Sequence, residues 1–179
     1  MAKKVLVLST SQRKNSNSEH LCDAFCRGAQ EAGCETEKIS LIGKNIRFCL
    51  GCQACRKTQK CVLPDDMASI LEKMKAADIL VFATPIYFYE MSGQLKTLLD
   101  RTYPMYSTEY RFRSVYLLMA ATEEAETTSN RTVQGFSGWI SCYPKAAFSG
   151  AVFAGGVRNP GDIEKHDALL KAYEMGKHV

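Results

Sequence analysis

An apolar run followed by a hydroxyl-rich loop sets the architecture of this chain: it reads Val5-Leu6-Val7-Leu8 and continues as Ser9-Thr10-Ser11-Gln12-Arg13-Lys14-Asn15-Ser16-Asn17-Ser18. A short apolar run rich in valine and leucine is typical of a central strand buried on both faces of a parallel sheet. Apolar residues then recur at helical spacing from Leu21 to Ala32, and Gly33 ends the pattern as a residue just beyond a helix does. The stretch predicts a strand, a polar loop and a helix.

The same unit repeats along the chain. Four more strands are predicted, at Glu35–Leu41, Ile79–Ala83 (ended by Thr84-Pro85), Val115–Ala120 and Ala147–Ala154. Helices are predicted after Pro64-Asp65-Asp66 with an Asp as N-cap, around Leu95–Leu99, over Val133–Cys142 and over Ala168–Gly176. Five alternations with short connections predict an α/β fold, a doubly wound five-stranded parallel sheet with helices on both faces. We expect one domain, 1–179, with its ligand beyond the carboxyl ends of the strands.

Composition narrows the class of protein. The chain has 179 residues, of which 46% are hydrophobic and 23% charged, as in an ordinary soluble domain. No apolar run approaches the ~20 residues that span a bilayer, and the first run is too short for a signal peptide. The net charge is +4, but Lys and Arg are scattered and form no basic stripe. We therefore expect a cytoplasmic protein with no membrane and no nucleic-acid partner.

The loop after the first strand has the composition of a phosphate site. From Ser9 to Ser18 it holds no acidic residue and no glycine, but it offers five hydroxyls, two asparagines, Arg13 and Lys14. Such a loop at a helix N-terminus can surround a phosphate with hydroxyl and N–H groups. Without glycine it matches neither the dinucleotide nor the triphosphate fingerprint. A single phosphate, as on FMN, is favoured; the alternative is that these residues only cap the helix and form turns.

A second candidate wall follows the third strand. The segment from Thr84 to Lys96 carries three consecutive aromatic residues, Tyr87, Phe88 and Tyr89, at a strand-to-helix junction. A loop at this edge of the sheet faces solvent or ligand, and a flat π-rich ring would bury well against such side chains. A subunit interface also favours Tyr and Phe. The two interpretations are compatible, and we expect both, with a homo-oligomer (a dimer or tetramer).

The third pattern is a compact cysteine cluster, Cys49-x2-Cys52-x2-Cys55-x5-Cys61, in a loop over residues 47–62 inserted after strand two. Thiolates at such short gaps suit the irons of one cluster, whereas structural zinc sites more often use two separated Cys-x2-Cys pairs. Arg47, Arg56, Lys57 and Lys60 would lower the thiol pKa values. Iron is favoured over zinc or a metal-free loop. The other cysteines, Cys22, Cys26, Cys34 and Cys142, are expected to be small buried apolar residues.

Two of these segments resemble the NAD(P)H-dependent FMN reductases and iron–sulfur flavoproteins. Ser11–Ser18 is similar to their Gly-Ser-Pro-Arg-x-x-x-Asn-Ser/Thr loop, with Thr10 in place of Gly and Gln12 in place of Pro, so some loop adjustment is expected. Pro85-Ile86-Tyr87, Gln94-Leu95-Lys96 and Asp100-Arg101 match a second signature. The resemblance implies a flavodoxin-like sheet of order 2-1-3-4-5 in three layers. The FMN contacts taken from it and from the loop's position are Ser9, Ser11, Arg13, Ser16, Asn17, Ser18, Thr84, Pro85, Ile86, Tyr87, Phe88, Ala121 and Thr122.

The cysteine spacing, continued by Cys-Val-x-x-Asp-Asp-Met at Cys61–Met67, resembles the 4Fe–4S motif of iron–sulfur flavoproteins, which implies Cys49, Cys52, Cys55 and Cys61 as ligands. The resemblance is looser after Arg101, where Thr122–Glu126 is acidic instead of glycine-rich. It implies an FMN-dependent oxidoreductase that takes electrons from NAD(P)H or a ferredoxin-like donor. No side chain stands out as a general acid or base. A non-catalytic flavodoxin-like carrier and a zinc-binding interaction domain are the alternatives.

Overall fold

The computed structural model describes residues 2–179. Five parallel strands form the main sheet, and a two-residue strand pairs antiparallel with the third: β1 (Lys4–Ser9), β2 (Glu35–Ser40), β3 (Ile79–Tyr87), β4 (Glu90–Met91), β5 (Ser114–Ala120) and β6 (Ala147–Ala154). The order is β2-β1-β3-β5-β6, with β4 beside β3. This confirms the predicted doubly wound sheet and its order 2-1-3-4-5 for the five parallel strands, with β4 as an addition.

Helices cover both faces of the sheet. They are α1 (Asn17–Glu31), α2 (Cys55–Thr58), α3 (Met67–Ala76), α4 (Gly93–Asp100), α5 (Asn130–Ile140) and α6 (Ala168–Lys177). Because strand side chains alternate between faces, Val5 and Val7 pack with α1 and α6, whereas Leu6 and Leu8 pack with α3, α4 and α5. The three layers place the carboxyl ends of the strands, and the loops that follow them, along one edge.

The third strand is longer than predicted. Thr84-Pro85 was expected to end it, but β3 continues to Tyr87, with Pro85 opposite Ala120 of β5. On its other side β3 pairs with β1 only as far as Ala83, opposite Ser9. Beyond Ala83 the strand has a parallel neighbour on one side only, and proline is tolerated at such an edge because one N–H needs no partner in the ladder. The strand therefore carries Pro85, Ile86 and Tyr87 out past the end of the sheet.

The predicted Asp N-cap of α3 is Asp66, but its side chain makes no bond to the helix and accepts from the Asn45 N–H instead; the carboxylate that accepts from the first turn belongs to Asp65, which receives the Met67 N–H at 3.1 Å. The prediction for the isolated cysteines holds only in part. Cys22 is fully buried as predicted and Cys26 and Cys34 are half-buried, but Cys142 is exposed. Cys142 lies in the turn after α5, where its N–H bonds to the Trp139 carbonyl, so its side chain faces outward.

Two glycines set the distance between α1 and α6. A Cβ at Gly28 would lie 2.0 Å from the carbonyl oxygen of Tyr173, and a Cβ at Gly176 would lie 2.1 Å from that of Phe25. Both obstacles are backbone atoms, so the helices would have to separate.

We expect Gly28→Ala to lower the free energy of unfolding by about 3 kcal/mol, the upper part of the range for overpacking. Gly138 is the matched control: it also lies within a helix, and a Cβ there meets no atom within 4 Å. Gly138→Ala should raise stability by about 0.5–1 kcal/mol through the lower backbone entropy of its unfolded chain. Urea denaturation followed by circular dichroism measures both; equal effects would contradict the close helix contact.

Candidate active site

The loop between β1 and α1 lies at the carboxyl edge of the sheet. Ser16 caps α1, and its Oγ accepts from the backbone N–H of Glu19 at 3.2 Å. The same Oγ lies 3.3 Å from that of Ser18. The capping alternative therefore holds for Ser16. It does not compete with phosphate binding, because the first turn of a helix presents N–H groups that have no partner within the helix.

Most of the predicted contacts line one cleft. A cavity of about 60 Å³ is bounded by Ser11, Arg13, Ser16, Asn17, Ser18, Pro85, Ile86, Tyr87, Ala121 and Thr122, together with Ala120, Val157 and Arg158. A neighbouring cavity of about 370 Å³ shares Ile86, Tyr87, Ala121 and Thr122 and adds Phe88, Tyr89, Glu123 and Thr128. The shared residues join a small polar end, between the hydroxyl-rich loop and Arg158, to a wider aromatic end.

Ser9 and Thr84 are the two predicted residues that line neither cavity. Both are buried. Thr84 takes part in a hydrogen-bond network with Ser92. The backbone N–H of Ser92 donates to the Thr84 Oγ1 at 3.0 Å, and the hydroxyl oxygens of the two residues lie 3.2 Å apart. Thr84 thus joins β3 to the start of α4, below the cleft.

Thr10 belongs to the same network. Its Oγ1 donates to the carbonyl of Ala83 at 2.8 Å and lies 3.2 Å from the Ser92 Oγ. The side chain is fully buried and does not line the cleft. The other departure from the family loop, Gln12, donates to the carbonyl of Leu41 at 3.3 Å. Thr10 directs its side chain into the protein, and the exposed Gln12 bonds to the loop after β2, so the β1–α1 loop keeps its place at the strand end without a glycine at position 10.

Asn17 has protein partners for both ends of its amide. Its Nδ2 donates to the carbonyl of Asn159 at 2.9 Å, and its Oδ1 accepts from the N–H of Ile163 at 3.3 Å. Arg13 reaches the same segment, because its Nη1 donates to the carbonyl of Arg158 at 2.9 Å. The side chains of Asn17 and Arg13 thus bind the β1–α1 loop to the segment after β6.

Sequence reasoning missed Arg158, which adds a second cation to the polar end of the cleft. The segment after β6 was interpreted only as a turn at Asn159-Pro160-Gly161. The signal was available, since the residues after every strand of a parallel sheet meet at the carboxyl edge. Applied to β6, that rule would have selected Val157 and Arg158.

The aromatic end is built on a tight hairpin. Tyr87 pairs with Glu90 across β3 and β4, which leaves Phe88 and Tyr89 as a two-residue turn. Their φ angles are 50° and 65°, in the left-handed region. This is the turn that β-hairpins favour, normally with Asn or Gly, and for residues with a Cβ each such angle costs about 1 kcal/mol or more. The hairpin leaves Phe88 97% exposed at the edge of the cleft.

The predicted cysteines are brought together. Cys49, Cys52, Cys55 and Cys61 line one cavity of about 350 Å³, with Asp100 and Tyr103 at its side. All four are free thiols, and Gly51 adopts a φ of 64° in the turn between them. Within the part of the chain that the structure describes, no three His, Cys, Asp or Glu side chains converge closely enough to hold one metal ion. The four thiols surround a space instead of meeting at a point.

The charge balance at this cavity differs from the prediction for Cys55. Its pKa is raised, first by burial and then by the neighbouring charges of Cys61, Cys49 and Cys52, against a lowering by a hydrogen bond from its own backbone. The basic residues of the loop were expected to lower it. The thiols are therefore close enough to repel one another as thiolates, and a bound cation would relieve that repulsion.

A doubly wound sheet with a phosphate-type loop and an aromatic hairpin at its carboxyl edge defines a flavodoxin-like flavoprotein. The chain belongs to the NADPH-dependent FMN reductase family, whose sequence model matches residues 3–155. It is accordingly an FMN-dependent oxidoreductase of the NAD(P)H-dependent type. This favours an enzyme over the carrier and the zinc-binding domain.

One relative is similar to this chain in sequence, and two solved structures are similar to it in fold. An iron-sulfur flavoprotein of Methanocaldococcus jannaschii is 32% identical over 186 residues, covering 98% of this chain and 95% of its own length. The fold matches that of an NAD(P)H:quinone oxidoreductase from Methanothermobacter marburgensis, with a TM-score of 0.72 and 22% identity over 99% of this chain and 97% of the other. An FMN-dependent NADH-azoreductase from Bacillus anthracis, in complex with FMN, gives a TM-score of 0.73 and 15% identity over 99% of each chain. Among the helices of residues 2–179, none has the length and apolar character that a bilayer crossing demands.

Proposed function

We propose that this oxidoreductase carries FMN in the cleft at the carboxyl edge and a 4Fe–4S cluster in the cysteine loop, and that it passes electrons from NAD(P)H to a one-electron acceptor. The observation that carries the proposal is the single cavity lined by four free thiols in a chain of an FMN reductase family. When bound, FMN supplies the exchange between two-electron and one-electron transfer, and the cluster supplies one-electron transfer. A ferredoxin-like donor is the alternative to NAD(P)H.

The polar end of the cleft is the proposed phosphate site. Ser11, Ser18 and Arg13 would contact the phosphate there, assisted by the N–H groups and dipole of the first turn of α1. Ser16 would help through its backbone while its hydroxyl caps the helix. Ser9, Asn17 and Thr84 would act indirectly, because their side chains are buried or hold the surrounding loops together.

The aromatic end is the proposed ring site. Pro85, Ile86 and Tyr87 extend beyond the sheet on β3, and Phe88 stands above them on the hairpin. The segment after β5, Ala121 and Thr122, forms the opposite side of both cavities. An apolar ring between these walls would be shielded from water on one face, which strengthens the electrostatic effect of nearby backbone groups on it.

The donor set of the second cavity fits an iron–sulfur cluster. Four cysteines match the ligand number of a cubane, in which each thiolate binds a different iron and the sulfur atoms stay apart. A structural zinc site would need the same thiols to converge on one ion. Free thiolates persist in reducing compartments, which supports the expected cytoplasmic location.

A homo-oligomer is supported by the distribution of exposed apolar side chains. Among residues 2–179, eight of the nine large exposed apolar side chains surround the two sites: Phe48, Leu50, Val62, Tyr103 and Tyr106 near the cysteine cavity, and Tyr87, Phe88 and Tyr89 near the cleft. Apolar surface gathered in this way is typical of an interface. Sedimentation velocity should give a particle larger than the 19.9 kDa chain; a monomer at micromolar concentration would contradict the proposal.

Anaerobic turnover tests the reaction. The purified yellow protein, mixed with excess NADPH or NADH under argon, should lose its flavin absorbance within seconds and then reduce a one-electron acceptor such as ferricyanide over many cycles. Flavin that is bleached by dithionite but by neither nicotinamide would show that the donor is a different protein. A colourless protein that rejects added FMN would contradict the flavin site itself.

A further inference from the structure

The least expected buried group in the molecule is a charge. Arg101 follows the last residue of α4 and is only 1% exposed, which makes it the largest fully buried side chain in residues 2–179. Burying an ionised group costs several kcal/mol unless partners satisfy it. Its position next to the cysteine cavity, where the preceding Asp100 is part of the wall, suggests why a charge is kept there.

Arg101 holds the two ends of the cysteine loop together. Its Nη1 and Nη2 donate to the two carboxylate oxygens of Asp65 at 2.7 and 2.9 Å, and Nη1 also donates to the carbonyl of Arg47 at 2.6 Å. Asp65 in turn accepts from the N–H of Arg47 at 3.0 Å. Arg47 precedes the first cysteine of the loop, and Asp65 follows the last. One buried guanidinium therefore bridges the entry and the exit of the loop.

One donor of this guanidinium is left over. The Nε–H of Arg101 is buried and has no hydrogen-bond partner, although an unsatisfied buried donor costs about 1–3 kcal/mol. Burial would lower the pKa of Arg101, but the hydrogen bond to Asp65, the charges of Cys61 and Asp65 and an interaction with the Cys61 side chain raise it. Cys61 is four residues before Asp65, the carboxylate that the guanidinium binds. A sulfur atom that is a proposed iron ligand is therefore near the guanidinium.

We propose that Arg101 is a positioning residue for the iron–sulfur site: with Asp65 it clamps the ends of the cysteine loop, and its Nε–H donates a hydrogen bond to the Cys61 sulfur when that sulfur binds iron. The hydrogen bond to the Cys61 sulfur rests on the proposed function, because it requires the cluster. The clamp does not, because its hydrogen bonds are present in the protein without the cluster. Hydrogen bonds to ligand sulfurs stabilise the more negative, reduced cluster and raise its reduction potential. A purely structural ion pair would stabilise the loop and leave that potential unchanged.

Arg101→Lys tests whether a buried positive charge is sufficient, because lysine keeps the charge but has neither the fork that clamps the loop nor the Nε–H. The control is Arg111→Gln. It breaks an exposed ion pair between Arg111 and Asp78, the residue before β3. Anaerobic EPR-monitored titration should give a lower cluster potential for Arg101→Lys and an unchanged one for Arg111→Gln, with equal FMN content in both. An intact cluster at the wild-type potential in Arg101→Lys would overturn the proposal.

Two further measurements cover the remaining outcomes. If Arg101→Lys fails to bind FMN, the double variant Arg101→Gln/Asp65→Asn replaces the buried pair by neutral groups, which proteins often tolerate; it should show the same lowered potential, and a wild-type value would overturn the proposal. If the wild-type chain binds no iron or sulfide, the cluster assignment fails. The clamp is then tested on the FMN-loaded chain, where Arg101→Lys should be cut faster by protease within residues 47–62. Equal cleavage rates would overturn the clamp.

Discussion

Cys52→Ala should abolish the iron–sulfur cluster while leaving FMN in place. The proposed cubane needs four thiolates, and three leave one iron open to solvent and oxidation. Cys52 is exposed and lies in a loop outside the two apolar cores, so the fold has no need of its side chain. The cysteine cavity shares no lining residue with either part of the flavin cleft. Iron and acid-labile sulfide, assayed after anaerobic purification, should fall from about four per chain to near zero.

The matched control for this loss is Cys142→Ala. Cys142 is exposed like Cys52 but lies in the turn after α5, outside the cysteine loop. The Cys142→Ala variant should keep the wild-type iron, sulfide and flavin contents. If Cys52→Ala retained its iron, or lost flavin in proportion to iron, the assignment of separate sites would be wrong.

Arg13→Ala should weaken FMN binding by about 10- to 150-fold, the equivalent of losing one charge-assisted hydrogen bond of about 1.5–3 kcal/mol. The guanidinium lines the polar end of the cleft and is held there by the carbonyl of Arg158. The variant also releases that carbonyl, which loosens the segment after β6. Titration of the apoprotein with FMN, followed by the quenching of flavin fluorescence, measures the change.

Riboflavin gives the decisive comparison, because it has the ring without the phosphate. Arg13→Ala should bind riboflavin as the wild-type chain does, if Arg13 acts on the phosphate alone. Lys14→Ala is the neighbouring control: Lys14 is exposed and lines neither cavity, so its loss should change FMN affinity only slightly. An equal loss of affinity for FMN and for riboflavin would contradict a contact between Arg13 and the phosphate.

The sheet could be predicted because its signal is local. The inner parallel strands β1, β3 and β5 are short apolar runs, and each parallel strand is followed along the chain by a helical pattern. The extension of β3 past Pro85 could not be predicted in that way. It depends on β1 ending at Ser9, opposite Ala83, which leaves Pro85 without a parallel partner on that side of β3. A proline that ends a central strand can continue an edge strand, and only the tertiary pairing distinguishes the two.

The candidate site was likewise predictable where its signal is local. The hydroxyls after β1 and the aromatic residues after β3 can be recognised from residue type and position, and eleven of the thirteen predicted flavin contacts line the two joined cavities. The partners of Asn17 lie more than 140 residues away in sequence. Arg101 is separated from Asp65 by 36 residues and from Arg47 by 54. Contacts over such distances have no sequence periodicity, so the roles of these residues emerge only from the fold.

Cofactor analysis of the anaerobically purified wild-type protein shows whether one chain holds both a flavin and an iron–sulfur cluster. Flavin released by acid, iron, acid-labile sulfide and zinc should be determined on one sample. We predict about one FMN, four iron and four sulfide per chain and no stoichiometric zinc. One zinc per chain, or FMN with neither iron nor sulfide, would contradict the account.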